Sequence, residues 1–349
     1  MSSISSYAAQ SATSPLALHP ITRRDVGSKD VKIDIKFCGV CHTDIHQSKN
    51  DWDGSNYPIV PGHEIIGKVS ALGSDVKHLK IGQRVAVGCF VDSCHQCSSC
   101  KADLEQYCLN DITATYNSAT EDPGGFTYGG YSQSIVVDNY FVLTVPDGLD
   151  PAGAAPLLCA GITTYSPLKH WGIKPGMTVG IIGLGGLGHM GVKLSHAMGA
   201  KTVMITTSKN KAGDALKLGA DEVLISTDAN AMEAKINQFD FLLNTIPVAH
   251  DFNHYMPLLK VDGTMCIVGS IGPNAELNTG PLVFGRKSVA GSLVGGIKET
   301  HEMLEFCAKH NITSEIELIK MEEINHAFER MLKSDVKYRF VIDMNSLSK

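Results

Sequence analysis

Four cysteines within fifteen residues constrain this chain more than any other feature of its sequence. They are Cys94, Cys97, Cys100 and Cys108, with the spacing C-x2-C-x2-C-x7-C. The two-residue gaps let successive thiolates face one point about 2.3 Å away, and the longer last gap lets the chain wrap around an ion. The spacing therefore predicts a closed tetrahedral zinc site. Two disulfides, or reduced cysteines clustered by chance, are the alternatives, and the lack of an export signal disfavours disulfides.

Bulk properties limit the classes of protein to which this chain can belong. With 349 residues it exceeds the usual size of one core, so two domains are expected. Its formal net charge of −6 argues against non-specific nucleic-acid binding, which needs a basic surface. No apolar run approaches the roughly 18 residues that span a bilayer, so no membrane segment is expected. Ten cysteines and no recognisable export signal fit a reducing cytosol, so we expect a cytoplasmic protein.

The first ~150 residues alternate short β-like runs with Gly and Pro turns. They contain no long amphipathic helix. This pattern predicts a β-rich, barrel-like domain with functional loops. Its predicted strands are Val31–Phe37, Ile65–Ala71, Arg84–Val87 and Ser134–Val137.

Beyond Pro151 the pattern changes to strands that alternate with helices. A helical stretch, Pro156–Lys169, comes first, and the alternation after it predicts a doubly wound parallel sheet. The tail after Lys298 has a helix, an amphipathic helix (Ile324–Lys333) and a final strand (Tyr338–Ile342). The predicted sheet strands are Met177–Ile182, Val203–Thr207, Glu222–Ile225, Phe239–Thr245, Thr264–Val268 and Val289–Leu293, and the predicted helices between them include Gly188–Met198, Lys209–Leu218 and Asp251–Leu259.

A glycine-rich turn follows the strand Met177–Ile182. It reads Gly183-Leu184-Gly185-Gly186-Leu187-Gly188 and leads into a helix, so the G-x-G-x-x-G pattern has the strand and the helix that a dinucleotide-binding turn requires. Gly183 allows the tight turn, Gly185 lets the backbone approach a pyrophosphate, and Gly188 lets the helix pack on the strand. Free N–H groups at the helix start would bind the pyrophosphate. A glycine-rich loop without a ligand is the alternative.

The segment about 20 residues further on indicates which nicotinamide cofactor fits. An NAD-selective site usually carries Asp or Glu there, which binds the ribose 2′-hydroxyl. Here the segment reads Thr206-Thr207-Ser208-Lys209-Asn210-Lys211, with hydroxyls and two lysines but no carboxylate. The hydroxyls and Lys211 would hold a 2′-phosphate that a carboxylate would repel, so NADP(H) is favoured over NAD(H). Alternatively, the lysines only form the solvated start of a helix.

Further metal-binding side chains are dispersed along the chain. Cys41 stands in the run Cys41-His42-Thr43-Asp44-Ile45-His46, His63 follows Gly62, and Cys159 stands in an apolar run. Cys41, His63 and Cys159 could form a Cys2His zinc site with one open position. Taken alone, Cys159 would more often be a small core residue and His63 as often a structural histidine. Their coincidence with the glycine turn and the four-cysteine cluster favours the metal interpretation.

These segments resemble the zinc-dependent medium-chain alcohol dehydrogenases, in the branch of the cinnamyl alcohol dehydrogenases and NADP-dependent aldehyde reductases. The resemblance covers nearly the whole chain beyond the first ~20 residues, in order and at matching spacing. It rests on the four-cysteine loop, the glycine turn and the segments Gly39–Asp44 (GVCHTD), Tyr57–Glu64 (YPIVPGHE), Pro156–Thr163 (PLLCAGIT) and Val336–Val341 (VKYRFV).

The resemblance implies the α/β fold class. A GroES-like barrel catalytic domain would comprise residues 1–154 and 297–349, with a structural zinc lobe at about 89–110, and a Rossmann nucleotide-binding domain would be inserted at 155–296. Two zinc ions per chain are implied, the catalytic one held by Cys41, His63 and Cys159. Glu64 would be an alternative or exchanging ligand, and Asp44 would orient the His63 imidazole. The implied cofactor positions, besides the glycine turn and the segment from Thr206 to Lys211, are Thr43, Thr163, Thr245, Gly269, Ser292, Leu293 and Val294.

The resemblance also implies a reaction, the NADPH-dependent reduction of aldehydes to primary alcohols and its reverse. Zinc would act as a Lewis acid on the carbonyl, and the nicotinamide would supply hydride. A relay from Thr43 through the cofactor ribose to His46 would carry the proton. His46 could instead be an ordinary surface histidine. The relatives make a homodimer the expected assembly.

Substrate selection is expected at Trp52, Tyr57, Phe90 and Leu293, although each aromatic could equally serve core packing. Plant lignin-pathway relatives tend to have a bulky aromatic side chain where this chain has Leu293. The smaller leucine favours a broad-range aldehyde reductase that accepts cinnamyl-type and other aldehydes.

Three alternative functions remain open. An NAD-dependent alcohol or polyol dehydrogenase of the same family is the main one, but it should carry an acidic residue near Thr206 or Thr207. A zinc-ribbon nucleic-acid-binding protein would use the four cysteines but has no need of the glycine turn. A metal-free quinone or enoyl reductase would lack Cys41, His63 and Cys159.

Overall fold

The computed structural model describes residues 2–269, 272–273 and 276–347. The chain forms two compact units. Unit 1 extends to Cys159 and resumes at Gly295, and unit 2 is Ala160–Val294. The chain thus leaves unit 1 five residues later, and returns to it two residues earlier, than the sequence-predicted domain limits.

Short strands separated by turns dominate the first part of unit 1. Its elements are β1 (Ser2–Ala8), β2 (Ala17–Arg23), β3 (Asp30–Gly39), α1 (His42–Lys49), β4 (Ile65–Leu72), β5 (Arg84–Val87), β6 (Phe90–Asp92), α2 (Ser98–Lys101), β7 (Thr113–Ala114), β8 (Ser134–Asp138), β9 (Leu143–Thr144) and α3 (Pro151–Ala154). In β3 the buried residues Val31, Ile33 and Ile35 alternate with more exposed ones, as expected for a strand with one face in the core. The predicted β-rich character of this part is confirmed.

Unit 2 is a parallel sheet with helices between its strands. Its strands are β10 (Thr178–Ile182), β11 (Lys201–Thr206), β12 (Glu222–Ile225), β13 (Phe239–Asn244), β14 (Leu259–Ile267) and β15 (Ser288–Gly291), and its helices are α4 (Ala160–His170), α5 (Gly186–Ala197), α6 (Ala212–Lys217), α7 (Ala229–Glu233) and α8 (Gly280–Gly285). All its strand pairs are parallel, in the order β12-β11-β10-β13-β14-β15. The predicted doubly wound sheet is confirmed. The strand order reverses next to β10, and the carboxyl edge beside such a reversal is where nucleotides bind.

The C-terminal segment completes the sheet of unit 1. It contains α9 (Ile297–His310), β16 (Ile316–Lys320), α10 (Ile324–Leu332) and β17 (Arg339–Asp343). The seven-stranded sheet has the order β16-β17-β3-β4-β5-β9, with β8 also paired to β3. Strand β17 runs antiparallel to β3 with Ile342 opposite Cys38, so the last strand lies beside the one that leads into α1.

Some predicted helices differ from the structure. The prediction of a helix over Asp251–Leu259 is wrong, because the segment forms two 3-10 turns, Phe252–His254 and Met256–Leu258, before β14 begins. Pro257 has no N–H and cannot continue a helical hydrogen-bond ladder. The helix predicted from Pro156 begins as a 3-10 turn and becomes α-helical only at Ala160. Among the described residues, none of the helices combines the length and apolar character needed to cross a membrane.

Candidate metal and nucleotide sites

The four lobe cysteines come together around one point. Their Sγ atoms all lie within 4.8 Å of one another, and none of the four forms a disulfide. The Sγ atoms are 3.9 Å apart for Cys94 and Cys100, and 3.5 Å apart for Cys97 and Cys100. Four sulfurs arranged tetrahedrally at about 2.3 Å from zinc lie about 3.8 Å from one another. The group therefore fits a closed zinc site, and the disulfide alternative is wrong.

Backbone N–H groups in the lobe favour the thiolate forms of Cys94 and Cys97. The amide of Cys97 donates to the Cys94 Sγ at 3.4 Å, and the amides of Cys100 and Leu109 donate to the Cys97 Sγ at 3.5 and 3.4 Å. Hydrogen bonds from the backbone of Gln96 and Cys97 lower the pKa of Cys94 to about 5. Since the thiolate is the form that binds zinc, the local backbone prepares the lobe for the ion.

A buried carboxylate connects the lobe to helix α9. The Glu105 Oε2 accepts a hydrogen bond from the backbone N–H of Ile297, the first residue of α9, at 3.1 Å. Its Oε1 accepts from the hydroxyl of Tyr140. A Cβ atom on Gly296 would lie 2.0 Å from the carbonyl oxygen of Asp103, so no side chain fits there. Glu105 thus satisfies an unpaired N–H at the helix start, where negative charge is favourable.

A second group of donor atoms forms in unit 1 from residues far apart in sequence. Cys41 caps helix α1, His63 and Glu64 directly precede β4, and Cys159 follows the 3-10 turn Ala155–Leu158. One ligand atom from each of the four lies within 4.8 Å of the others, and all four side chains are buried. The structure therefore brings together the ligand set that the resemblance implies.

The two thiols of this group have the spacing that a shared metal ion requires. The Sγ atoms of Cys41 and Cys159 are 3.9 Å apart, close to the value of about 3.8 Å for a tetrahedral zinc site. The contact with Cys159 lowers the pKa of the Cys41 thiol well below its usual range, against the effect of burial, and Arg339 adds to the lowering. Two thiolates, an imidazole and a nearby carboxylate suit zinc.

Asp44 organises the surroundings of the histidine. Its Oδ1 accepts from the backbone N–H of Gly62 at 3.1 Å and lies 3.2 Å from the His63 Nδ1. Its Oδ2 accepts from the backbone N–H of Cys41 at 2.9 Å and from the hydroxyl of Tyr131 at 3.2 Å. Burial lowers the pKa of His63, but the Asp44 carboxylate outweighs it and the pKa lies well above its usual range. Asp44 thus fixes the ring through Nδ1, which leaves Nε2 for a metal.

Arg339 is a buried cation beside Glu64 and is not among the residues that the sequence predicts for this site. The Arg339 Nη1 lies 3.4 Å from the Glu64 Oε1 and donates to the carbonyl oxygen of Val40 at 3.2 Å. Burial raises the pKa of Glu64 to about 7, and Arg339 opposes this rise. Among the described residues no hydrogen-bond donor reaches either carboxylate oxygen of Glu64. An arginine within the apolar run of β17 is the sequence signal that could have pointed to such a pair.

The two residues of the predicted proton relay lie on helix α1. The Thr43 Oγ1 is 3.6 Å from the Cys41 Sγ, so its hydroxyl lies at the metal-binding group. The His46 Nδ1 is 2.8 Å from the Asp51 Oδ2, and its ring lies 4.9 Å from that of Trp52. His46 is partly exposed. With Nδ1 engaged by a carboxylate, Nε2 is the nitrogen left for proton exchange.

The glycine turn has the backbone shape that its sequence predicts. Gly183 follows β10 with a φ of +94°, a conformation that favours glycine. A Cβ on Gly188 would lie 1.8 Å from the carbonyl oxygen of Gly183, so helix α5 packs directly on the turn. Apart from its two chain neighbours, none of the described residues has an atom within 4 Å of the position that a Cβ on Gly185 would take. The open space beside the N-terminus of α5 fits a pyrophosphate.

The polar segment after β11 reaches back to this turn. Thr206 ends the strand, and its Oγ1 accepts from the backbone N–H of Ser208 at 3.2 Å. Thr207 is exposed. The Lys211 Nζ donates to the carbonyl oxygen of Leu184 at 3.1 Å, so this ammonium group lies at the glycine turn. Hydroxyls and a lysine beside a phosphate-binding turn fit a cofactor with an additional phosphate.

The remaining predicted cofactor positions all lie in unit 2, apart from Thr43. Thr245 supports the turn directly, because its Oγ1 lies 2.8 Å from the carbonyl oxygen of Ile182 and 3.0 Å from that of Gly183. A Cβ on Gly269 would lie 2.4 Å from the backbone carbonyl carbon of Thr245. The other positions are Thr163, which is buried in α4, and Ser292, Leu293 and Val294, which follow β15.

The four predicted substrate residues differ in environment. Phe90 is buried and packs edge-on against Phe141, with ring centroids 6.0 Å apart, so its side chain belongs to the core of unit 1. The hydroxyl of Tyr57 donates to the carbonyl oxygen of Ser48 at 2.9 Å. Trp52 and Leu293 are exposed. Phe90 therefore matches the core-packing alternative.

Comparisons with known proteins agree with this fold and these donor sets. Residues 27–147 match the alcohol dehydrogenase GroES-like domain, and residues 186–309 match the zinc-binding dehydrogenase domain. The chain is 52% identical to the aldehyde reductase YahK of Escherichia coli over 99% of both chains. It is 51% identical to NADP-dependent alcohol dehydrogenase C 1 of Mycolicibacterium smegmatis, also over 99% of both.

Solved structures give the same result. A cinnamyl alcohol dehydrogenase of Sorghum bicolor superposes with a TM-score of 0.96, at 41% identity and full coverage of both chains. A cinnamyl alcohol dehydrogenase of Helicobacter pylori, complexed with NADP(H), superposes with a TM-score of 0.90, at 38% identity over 99% of both.

A doubly wound nucleotide-binding unit, a GroES-like unit and two cysteine-rich donor sets define a zinc-type dehydrogenase. The chain belongs to the zinc-dependent medium-chain alcohol dehydrogenase family, in the branch of the cinnamyl alcohol dehydrogenases and aldehyde reductases. These findings confirm four predictions: the family resemblance, the fold class, the assignment as an enzyme and zinc as a cofactor.

Proposed function

We propose that this enzyme reduces aldehydes to primary alcohols with NADPH, and catalyses the reverse reaction. The observation that carries the proposal is the buried set of Cys41, His63 and Cys159 in unit 1, which has the donor chemistry and spacing of a catalytic zinc site. The glycine turn and Lys211 in unit 2 support the choice of nucleotide. When bound, zinc would polarise a carbonyl oxygen and the nicotinamide would supply hydride.

Asp44 and Glu64 would set the properties of the donor set. Asp44 holds the His63 ring by its Nδ1 and presents Nε2 in a fixed orientation. Glu64 is the fourth member of the group, and its carboxylate has no hydrogen-bond donor among the described residues. It is therefore suited to act as an alternative or exchanging ligand, with Arg339 stabilising its charge.

Thr43 and His46 would carry the proton that the alcohol product requires. The Thr43 hydroxyl lies beside the Cys41 sulfur, and His46, three residues later on α1, is partly exposed. Asp51 holds the His46 Nδ1, so Nε2 is the ring nitrogen that would exchange protons with solvent. Together with the cofactor ribose, these side chains form the proposed relay.

The cofactor is proposed to be NADP(H) rather than NAD(H). The segment from Thr206 to Lys211 contains no carboxylate that would repel a 2′-phosphate, and it places an ammonium group at the glycine turn. The relative from Mycolicibacterium smegmatis is named as NADP-dependent, and the structure of the relative from Helicobacter pylori was solved with NADP(H). An NAD-dependent alcohol or polyol dehydrogenase is the second candidate, because a relative named as a probable mannitol dehydrogenase is 48% identical.

The proposed substrates are aldehydes of broad range, including cinnamyl-type aldehydes. The relatives are named for different compounds, as an aldehyde reductase, a probable formaldehyde dehydrogenase and a probable cinnamyl alcohol dehydrogenase. Leu293 is exposed and smaller than an aromatic side chain, which supports a broad range of substrates.

Initial rates of cinnamaldehyde reduction with NADPH and NADH at equal concentration test the proposal. Rapid turnover with NADPH and little with NADH is expected. Equal or faster turnover with NADH would overturn the cofactor assignment, and no turnover with either nucleotide would overturn the substrate class. A Cys159→Ala variant should lose turnover together with one bound zinc, whereas the matched Cys266→Ala variant, in strand β14, should keep both zinc ions.

We also propose that the enzyme is a homodimer in the cytoplasm. Strand β15 is the last strand of its sheet, and helix α8 just before it exposes Val283 and Phe284, the latter at 93%. Sheet edges and exposed aromatic side chains favour association with a second copy. Sedimentation of Phe284→Ser should show a weakened dimer, and a wild-type monomer would contradict this part of the proposal.

A further inference from the structure

Cys89 lies beside the catalytic donor group, between β5 and β6. Its Sγ is 3.6 Å from the carbonyl oxygen of Leu158, and a Cβ on Gly88 would lie 3.3 Å from the same oxygen. The Cys89 side chain also interacts with the thiol of Cys159. Leu158 directly precedes Cys159, so the segments that carry Cys89 and Cys159 lie side by side and bring the two side chains close together.

Cys89 differs from the two neighbouring thiols in exposure and in position. Cys41 and Cys159 are buried, at 7% and 8% exposure, whereas Cys89 is partly exposed. The donor group includes Cys41 and Cys159 but not Cys89. Accessible cysteines that stand next to a second cysteine are the ones that oxidise reversibly. Cys89 has this arrangement, and its neighbour is a proposed zinc ligand.

We propose that Cys89 and Cys159 form a reversible disulfide when the enzyme meets a peroxide, and that this bond removes Cys159 from the metal. The inference rests on the metal role proposed above for Cys159. The peroxide first converts the Cys89 thiol to a sulfenic acid and is itself reduced, releasing one water. The Cys159 sulfur then attacks the Cys89 sulfur, the S–S bond forms, and the S–OH bond breaks. The hydroxyl leaves and takes up a proton from solvent to form a second water, because Cys159 on zinc is a thiolate without a proton.

The consequence is an oxidation-sensitive switch at the catalytic centre. Once Cys159 is in a disulfide it no longer supplies a thiolate, so the catalytic site loses one of its thiol donors and its affinity for zinc falls. A dithiol reductant breaks the S–S bond, returns both thiols and is itself oxidised to a disulfide. Activity should return when zinc is then supplied.

Treatment of the zinc-loaded enzyme with hydrogen peroxide tests the proposal. Digestion without reductant, followed by mass spectrometry, should yield a cross-linked peptide pair that contains Cys89 and Cys159. Bound zinc should fall from two ions per chain to one, and dithiothreitol with added zinc should restore the second ion. A cross-link between Cys41 and Cys159, or cross-links confined to the four-cysteine lobe, would overturn the proposal.

Two variants separate this switch from general oxidation. Cys89→Ser should retain its catalytic zinc under peroxide conditions that release it from the wild type. The matched Cys266→Ala variant, which removes a buried cysteine of β14, should release zinc as the wild type does. Equal rates of zinc release from Cys89→Ser and the wild type would overturn the proposal. Failure of the proposed function would instead appear in untreated enzyme, as missing zinc or missing NADPH-dependent reduction.

Discussion

The substitution Asp44→Asn tests whether the Asp44 carboxylate holds the donor set in place. Asp44 accepts hydrogen bonds at both oxygens, from two backbone N–H groups, a tyrosine hydroxyl and the His63 ring. An asparagine amide can accept at one oxygen only, so in either orientation its NH2 group faces a backbone N–H, that of Cys41 or that of Gly62. One buried N–H without an acceptor costs about 1–3 kcal/mol.

Loss of the carboxylate charge adds to this cost. Exchanging a charged for a neutral acceptor of the His63 N–H removes about 1 kcal/mol, so the total loss of unfolding free energy is about 2–4 kcal/mol. The imidazole also becomes a weaker donor to the metal, and loss of such a support typically lowers zinc affinity about 10- to 100-fold. The four-cysteine lobe should keep its ion.

Chelator competition followed by zinc analysis measures the loss of zinc affinity, and urea unfolding measures the loss of unfolding free energy. The Asp44→Asn variant should lose one of two zinc ions at a chelator concentration that leaves the wild type fully loaded. Asp34→Asn, an exposed position on β3, is the matched control and should behave as the wild type. If Asp44→Asn kept both ions at wild-type affinity and unfolded at the wild-type urea concentration, the reasoning about the carboxylate would be refuted.

Three further outcomes are expected. Gly296→Ala should lower the unfolding free energy by about 1–3 kcal/mol because its Cβ has no room, whereas Gly213→Ala in α6 should be neutral or stabilising; equal urea midpoints would contradict this. Lys211→Glu should lower the ratio of kcat/KM for NADPH over NADH by about 10- to 100-fold, and an unchanged ratio would remove Lys211 from phosphate binding. Removal of the lobe zinc should accelerate hydrogen exchange at the Ile297 amide, because Glu105 would no longer be held against it; unchanged exchange would show that Glu105 is held independently of the metal.

Sequence patterns predict most of the fold. Strands alternating with helices around the glycine turn specify the parallel sheet of unit 2, because a phosphate-binding turn requires a strand before it and a helix after it. The four-cysteine spacing specifies a compact metal lobe, since its ligands lie within one loop. Helix limits are less predictable where proline or a 3-10 turn interrupts the pattern, as at Pro257.

Sequence patterns do not predict which distant residues meet in the donor set. The buried contact between Glu64 and Arg339 joins residues that no periodicity relates, and it depends on β17 lying beside β3. The environment of Cys89 likewise follows from two segments that meet only in the folded unit. Residue types suggested the zinc ligands only together with the glycine turn and the four-cysteine cluster, because His63 alone is as often a structural histidine and Cys159 alone is more often a core residue.

The position of β17 has a consequence for synthesis on the ribosome. Unit 2 ends at Val294, so all of its strands have been translated before the last part of unit 1 exists. Unit 1 stays incomplete until β17 (Arg339–Asp343) has been translated, because this strand pairs with β3 and supplies the cation opposite Glu64. Since domains generally fold as units during translation, the nucleotide-binding unit should mature first although its residues come second. The nascent chain therefore carries Cys41 and Cys159 in an incomplete unit until its final strand is released.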